Sequence, residues 1–245
     1  MVRNRLRWDC RPEAWSSRRK IAQWHDRYRG QKAVILCNGP SLLHADLDLL
    51  QDTFTFGLNK INLLYDSSDF RPSCIVAVNK LVLEQNKDFY NETETPLFLD
   101  NAALKVGITD AAHVHFLHHA HHRRFARDCR VSIFQGFTVT YVALQLAFHM
   151  GFSQVALIGA DHHFSTSGSP NKTVAAGKAD RDHFDPRYFA GGMQWQLPDL
   201  PESELSYLMA RDVFAGFGRR VVNATAGGHL EIFERQSLES FVAAD

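Results

Sequence analysis

Apolar residues along this chain fall into short continuous runs bounded by turn-forming residues, interleaved with stretches in which they recur every three or four positions. A continuous apolar run is the pattern of a strand covered on both faces, as in a parallel sheet. Residues 33–37 (AVILC), 54–58, 74–78 (CIVAV) and 155–159 (VALIG) predict strands of this kind, and 96–99, 114–117 and 220–222 are shorter candidates. Helical spacing predicts a helix over 12–29 stopped by Gly30, a short one from Ser41 as N-cap through Leu49-Leu50, and others over 81–90, 138–150, 202–214 and 236–242. Strands and helices alternate. The expected fold is therefore α/β, a Rossmann-like, doubly wound, mostly parallel sheet.

Two departures from that alternation shape the domain reading. Residues 1–30 form an N-terminal helical arm ahead of a nucleotide-binding domain over 31–245. Within that domain, residues 162–200 are polar and rich in Gly, Ser, Asn, Asp, His and Pro. A stretch of that length without its own pattern points to a lid or binding loop.

Charge sharpens the picture of the arm. The net charge is zero, yet residues 1–31 hold nine Lys/Arg against three Asp/Glu, which leaves −6 on the rest. The basic arm, with Trp8, Trp15 and Trp24, suits either packing on the domain or peripheral contact with an anionic membrane face through residues 1–29. The acidic remainder argues against nucleic acid as a partner. No run of about 18 apolar residues is present to cross a bilayer, and the opening Met1-Val2-Arg3-Asn4-Arg5 lacks the apolar core of a secretory signal. The expected location is the cytoplasm. Cys10, Cys37, Cys74 and Cys129 are too scattered for a zinc site, and no metal ligands are assigned. A homo-oligomer is compatible with everything above.

In open α/β sheets, ligands collect at the carboxyl ends of the strands. Asn38-Gly39-Pro40-Ser41 follows the first strand. Gly39 allows close backbone approach or a positive φ, Pro40 fixes the turn, and Asn38 and Ser41 can hydrogen-bond a base, sugar or phosphate. The motif is neither a P-loop nor a dinucleotide fingerprint. Asn59 and Asn79 follow the next strands, with helix capping the better assignment for Asn79. Gly159-Ala160-Asp161-His162-His163 ends another strand; there Asp161 can hold ribose, a metal or a base, with both histidines in reach. Six of the thirteen histidines lie in 113–122. Bunching alone does not make convergent ligands, and Arg123-Arg124 oppose a cation, so this cluster suits an anionic ligand or a solvated turn better than a metal. In the lid, Asp182-His183-Phe184-Asp185-Pro186-Arg187-Tyr188-Phe189 mixes acid, base and aromatic faces. His183 is the general-base candidate, and Arg187 and Tyr188 are candidates to stabilise phosphate.

The strand with NGPSL, Asn59, the helix leading into GFSQVALIGAD and the late VVNATAGGHLEIF together resemble a superfamily with two branches, over roughly residues 31–235. One branch comprises bacterial sialyltransferases that use CMP-activated sialic acid, with relatives that glycosylate flagellin. The other comprises 6-hydroxymethylpterin diphosphokinase (MptE-like) proteins, which transfer diphosphate from ATP to a pterin alcohol. The sialyltransferase branch implies inverting transfer with no obligatory metal and a histidine base. By position, the resemblance places Asn38, Gly39, Ser41 and Asn59 on the CMP portion and Thr138 near the donor carboxylate. That branch carries tyrosines after its strand-end Asp that bind the leaving phosphate, where this chain has His162 and His163. Its Thr-Ser-Gly helix start is Thr138-Val139-Thr140 here.

The sequence thus favours a glycosyltransferase acting in bacterial surface-polysaccharide or glycoprotein assembly. Its donor would be a nucleotide-activated acidic sugar, with Asp161, His163 and His183 as catalytic candidates. Asn38, Gly39, Pro40, Ser41, Asn59, Thr138, Gly159, His162, Arg187 and Tyr188 would bind substrate. The alternatives are an MptE-like pyrophosphokinase, which would add Mg²⁺ and ATP, and a non-catalytic nucleotide-binding relative.

Overall fold

The computed structural model describes residues 2–244. Its centre is an eight-stranded sheet in which every neighbouring pair is parallel. After α1 (Val2–Asp9) and α2 (Pro12–Ala22) come β1 (Lys32–Leu36), β2 (Phe54–Leu58), β3 (Cys74–Ala77), α3 (Lys80–Gln85), α4 (Lys87–Glu92), β4 (Leu97–Asp100) and β5 (Val114–Leu117). There follow α5 (Val139–Met150), β6 (Gln154–Ile158), β7 (Thr173–Ala175), β8 (Gln194–Gln196), α6 (Leu200–Gly216), β9 (Arg220–Asn223), β10 (Glu234–Arg235) and α7 (Leu238–Ala243). The strand order is β10-β9-β6-β1-β2-β3-β4-β5. The chain winds outward from β1 to β5, then returns to lay β6 on the other side of β1, with Ala33 opposite both Phe54 and Val155. The order reverses between β1 and β6, so the crevice opens at their carboxyl ends.

Strict two-sided burial explains the apolar runs. Ala33 and Ile35 face one core layer, with α5, while Val34 and Leu36 face the other, with α7. α5 is buried along its length, which is why its sequence is apolar almost all round and not merely on one stripe.

The expected helix over 12–29 ends early, at Ala22. Residues 23–30 form turns whose N–H groups cap α5: Asp26, Tyr28 and Gly30 donate to the carbonyls of His149, Met150 and Gly151 at 2.9–3.0 Å. The last carbonyls of a helix lack internal partners, and this segment supplies them at the expense of continuing its own helix. The arm is docked. α2 lies along β5, with Ser17 Oγ taking the Phe116 N–H at 3.0 Å and Lys20 paired with Asp110 at 2.7 Å. Trp8 is buried, and Trp24 donates Nε1–H to buried His115 at 2.9 Å. Trp15 remains 61% exposed. Among the described residues, no helix is long and apolar enough to cross a membrane.

The polar stretch 162–200 has more order than its sequence suggests. β7 and β8 pair antiparallel within it, and Phe184, Tyr188, Phe189, Trp195 and Leu197 form a buried cluster continuous with one core layer. The lid is tied to successive strand ends. Phe184 N–H donates to Asn38 O at 2.9 Å, and Lys60 Nζ to Tyr188 O at 2.6 Å. Asn79 Nδ2 donates to Gln196 Oε1 at 3.0 Å.

Candidate active site

Each strand on the β1-to-β5 side delivers a polar side chain at its carboxyl end: Asn38, Asn59, Asn79, Asp100 and His119. With the lid above them, all of these but the buried Asp100 border a cleft of about 540 Å³, whose walls also include Gly39, Thr138, Gly159, Asp161, His162, His163, His183 and Tyr188. That volume is in the range of small-molecule and cofactor sites.

The floor is the Gly39–Asp161 contact. Gly39 is in an ordinary extended conformation (φ −70°, ψ 161°), so its need is for space and not for a positive φ. A Cβ there would lie 1.9 Å from Asp161 Oδ2 and 2.7 Å from Gly159 O. Asp161 Oδ2 accepts from Ser41 Oγ at 2.7 Å and Ser41 N at 3.2 Å. Ser41 is therefore not the N-cap expected of it: it lies inside the 3-10 turn Pro40–His44, and its hydroxyl goes to Asp161. Pro40 and Ser41, expected to bind substrate, are not part of the cleft wall, and Ser41 borders a second, smaller pocket instead. Gly159, at φ 68°, packs against Cys37 O, where a Cβ would come within 2.6 Å.

Asn38, 8% exposed, and Asn59, at φ 48°, each hold a buried side-chain oxygen without a hydrogen-bond partner among the described residues. Buried polar atoms are rarely left unpaired. Both residues line the cleft. Asn79 caps α3 through Leu81 N at 2.9 Å, as its position predicts.

His183 sits in the lid with Nδ1 2.8 Å from Asp180 Oδ2 and its ring stacked on Tyr188, centroids 4.0 Å apart and planes parallel. Asp180 also accepts from the backbone N–H groups of Asp182, His183 and Phe189 at 2.8–3.2 Å. Burial works to raise the Asp180 pKa, but the bonds from His183 and these amides hold the carboxyl below the usual carboxylate range. The second ring nitrogen of His183 has no partner among the described residues, and the residue lines the cleft. Sequence reasoning named His183 as a candidate but not Asp180, three positions earlier. The spacing of one acid and one histidine is too common to be a signal.

Other placements are less central. Arg187 is outside the cleft wall, ion-paired with Asp185 at 2.7 Å and Asp66 at 2.8 Å. Two carboxylates already occupy this exposed guanidinium. Tyr188 does line the cleft; burial pushes its hydroxyl far up, and that hydroxyl has no hydrogen-bond partner among the described residues. His162, at φ 53°, is bound to Glu204 at 3.0 Å, and His163 faces His229 across 5.3 Å. Thr138 caps α5 at Thr140 N and meets the hydroxyl of Tyr207 at 3.3 Å. Tyr207, from α6, also lines the cleft; burial raises its pKa to about 12, so it offers a neutral O–H at pH 7. It is separated from Asp161 by the whole lid, and nothing local in the sequence links the two.

The histidine cluster divides by environment. His118 is neutral, lowered to about 4 by burial. His119 reaches Asp100 Oδ2 at 2.6 Å through Nδ1 and lines the cleft. Among the described residues, no group of three or more His, Cys, Asp or Glu is arranged to hold a metal.

The 6-hydroxymethylpterin diphosphokinase MptE-like family matches residues 13–167. The chain belongs to the MptE-like family. The match ends inside the lid, so it covers the β1-to-β6 sheet, Gly39, Asn59 and Asp161 but leaves Asp180 and His183 beyond it. Among solved structures, this MptE-like chain is similar to the MAf glycosyltransferase from Magnetospirillum magneticum AMB-1, with a TM-score of 0.55 at 12% identity. The likeness covers 93% of this chain and 39% of that one, so the chain spans about two fifths of the glycosyltransferase. At that identity the shared property is the fold. No curated protein matches the chain.

Proposed function

We propose that this protein is a group transferase that takes a nucleotide-activated acidic sugar, with CMP as the leaving group, and passes the sugar to a hydroxyl acceptor of a glycan or glycoprotein. The observation that carries this reading is the Asp180–His183 pair, held in the lid over a cleft whose strand ends present two unpaired carboxamide oxygens. Asp180 holds the Nδ1–H of the imidazole, which leaves Nε2 to take the proton of the acceptor hydroxyl as it attacks. The unpaired oxygens of Asn38 and Asn59 require donors. Cytosine N4–H₂ and ribose hydroxyls supply them, whereas a phosphate oxygen there would meet like partial charge. In this reading the neutral hydroxyl of Tyr207 and the start of α5, both in the cleft wall, would meet the charge that builds on the departing phosphate. The fold shared with a glycosyltransferase supports the same class.

The family match supports a second reading, transfer of diphosphate from ATP to a pterin alcohol. That chemistry brings Mg²⁺, which usually binds through one or two carboxylates and the substrate phosphates. Of the carboxylates in the cleft wall, Asp182 accepts from Ser165 N and Asp199 from Asn171 and Glu202 N. Asp161 Oδ1 and Asp182 Oδ2 keep no partner among the described residues, and Asp161 is the one of the two at a strand end. It would hold Mg²⁺ together with substrate phosphates, and the ion would supply charge neutralisation during diphosphate transfer.

Thermal stabilisation separates the two readings. A ligand at about 100 times its Kd adds about 2.7 kcal/mol. Stabilisation by CMP in the presence of EDTA, above that by UMP, is the expected result. A response confined to Mg-ATP replaces the glycosyl reading with the diphosphokinase one.

A further inference from the structure

The cleft is bordered by the imidazole of a second carboxylate–imidazole pair that the proposed chemistry leaves unused. Asp100, 1% exposed at the end of β4, accepts from Ala102 N at 2.8 Å, Gln135 Nε2 at 2.9 Å and His119 Nδ1 at 2.6 Å. His119 is fixed from its backbone as well. It bridges Ile133 in parallel, with Ile133 N donating to His118 O and Ala120 N to Ile133 O. Its Nε2 is left without a partner among the described residues, and the ring borders the cleft.

The surroundings favour a cation at this imidazole. The hydrogen bond to Asp100 raises the His119 pKa, against burial. Neighbouring His118 is neutral, and beyond it Arg5 and Asp9 of α1 are paired with each other at 2.8 Å. His121 stands edge-on at 5.0 Å, and Arg123 is engaged by Glu202. Gln135, the third partner of Asp100, opens the turn into α5. In that turn Gly136 (φ 64°) and Phe137 (φ 61°) are both left-handed, and Phe137 stands 43% exposed in the cleft wall. A non-glycine residue held there is strained, and such strain concentrates at ligand sites. The turn aims the N-terminus of a twelve-residue helix at the same cleft, and helix N-termini favour anions.

We propose that the Asp100–His119 pair is an anion-binding station of this cleft, in which His119 Nε2–H donates to an anionic oxygen of the ligand. The oxygen belongs either to the nucleotide phosphate or to the carboxylate of the acidic sugar. The inference rests on reading the cleft as a nucleotide site, and Asp100 acts as a positioning residue that fixes the ring and favours its charge.

Calorimetric titration of wild type and His119→Gln with CMP, cytidine and free N-acetylneuraminate tests it. His119→Gln keeps a polar side chain at a partly exposed position, and its Tm is compared with wild type. If the anion is phosphate, His119→Gln weakens CMP roughly tenfold and leaves cytidine unchanged. If it is the carboxylate, CMP is unaffected and the sugar acid loses affinity instead. In the phosphate case the His119 ring proton resonance of wild type titrates at higher pH with CMP bound than without. Equal affinities of both forms for CMP and for the sugar acid overturn the inference while leaving the CMP reading intact. If only ATP binds, the CMP reading fails, and ATP against adenosine then tests His119 in the same way. A chain that binds no nucleotide and no sugar acid overturns both.

Discussion

Gly39 and Asp161 meet so closely that a single methyl group on the former would lie 1.9 Å from a carboxylate oxygen of the latter. This contact closes the join between β1 and β6, where the strand order reverses, and it lets Ser41 reach Asp161 from behind.

Gly39→Ala therefore cannot be accommodated without moving both Asp161 and the Gly159 carbonyl away from it. Overpacking of this kind costs roughly 1–3 kcal/mol, and calorimetry should show a Tm several degrees lower. Ser41→Ala, which removes one hydrogen bond and adds no atoms, should cost about 1 kcal/mol. A Gly39→Ala protein as stable as wild type would show that the contact is looser than described.

His183→Ala should lower kcat by about 10²–10⁴, while Asp180 retains its three backbone donors. Asp180→Asn should fall between the two, since it keeps the ring near its place but weakens its orientation. Steady-state rates across pH provide the check: the limb governed by the base should disappear in His183→Ala.

Lys60 is buried where it holds the lid, donating to Tyr188 O and to Gln85 Oε1 at 2.7 Å. Burial lowers its pKa from 10.5 to about 8. A lysine with a depressed folded pKa binds fewer protons folded than unfolded between those values, so its contribution to stability rises as pH climbs from about 8 to 10.5. Denaturation of wild type and Lys60→Met over that window should show wild type gaining on the variant as pH increases. Parallel curves would mean that the ammonium is not desolvated.

His115 takes its proton balance from the opposite side of neutrality. It receives Trp24 Nε1–H and contacts Leu97 O through Nδ1 at 2.9 Å, and burial lowers its pKa to about 4. The unfolded chain then binds the extra proton first, so the stability due to neutral His115 is lost as pH falls from 6.5 towards 4. His118 and His149, also lowered by burial, add in the same direction. Trp24 fluorescence should report release of the 23–30 segment in that window, and Trp24→Phe should lower stability already at pH 7.

Strand-end polar residues were legible wherever an apolar run stopped at a carboxamide or carboxylate, as at Asn38, Asn59 and Asp161. The same rule applied to LFLD points to Asp100, which was not among the candidates. His119 was visible only as one of a crowd. What distinguishes it from His118, one position away, is which side of β5's continuation faces Asp100 and which faces burial. Arg187 shows the converse. Its residue type suits phosphate, yet Asp66 and Asp185 claim it at the outer surface.

The sequence by itself determined the parallel α/β sheet, because a strand buried on both faces must be apolar at every position, and that demand is local and readable. It also determined that polar turns follow β1, β2 and β6. Only the tertiary structure decided that Asp180 faces His183, that Asp100 faces His119, and that residues 23–30 cap α5 where a longer helix was expected. These depend on which loops the packed core brings within hydrogen-bond range. Even the meaning of Gly39 was settled there: the glycine is required by a carboxylate more than a hundred residues away, against which no side chain fits.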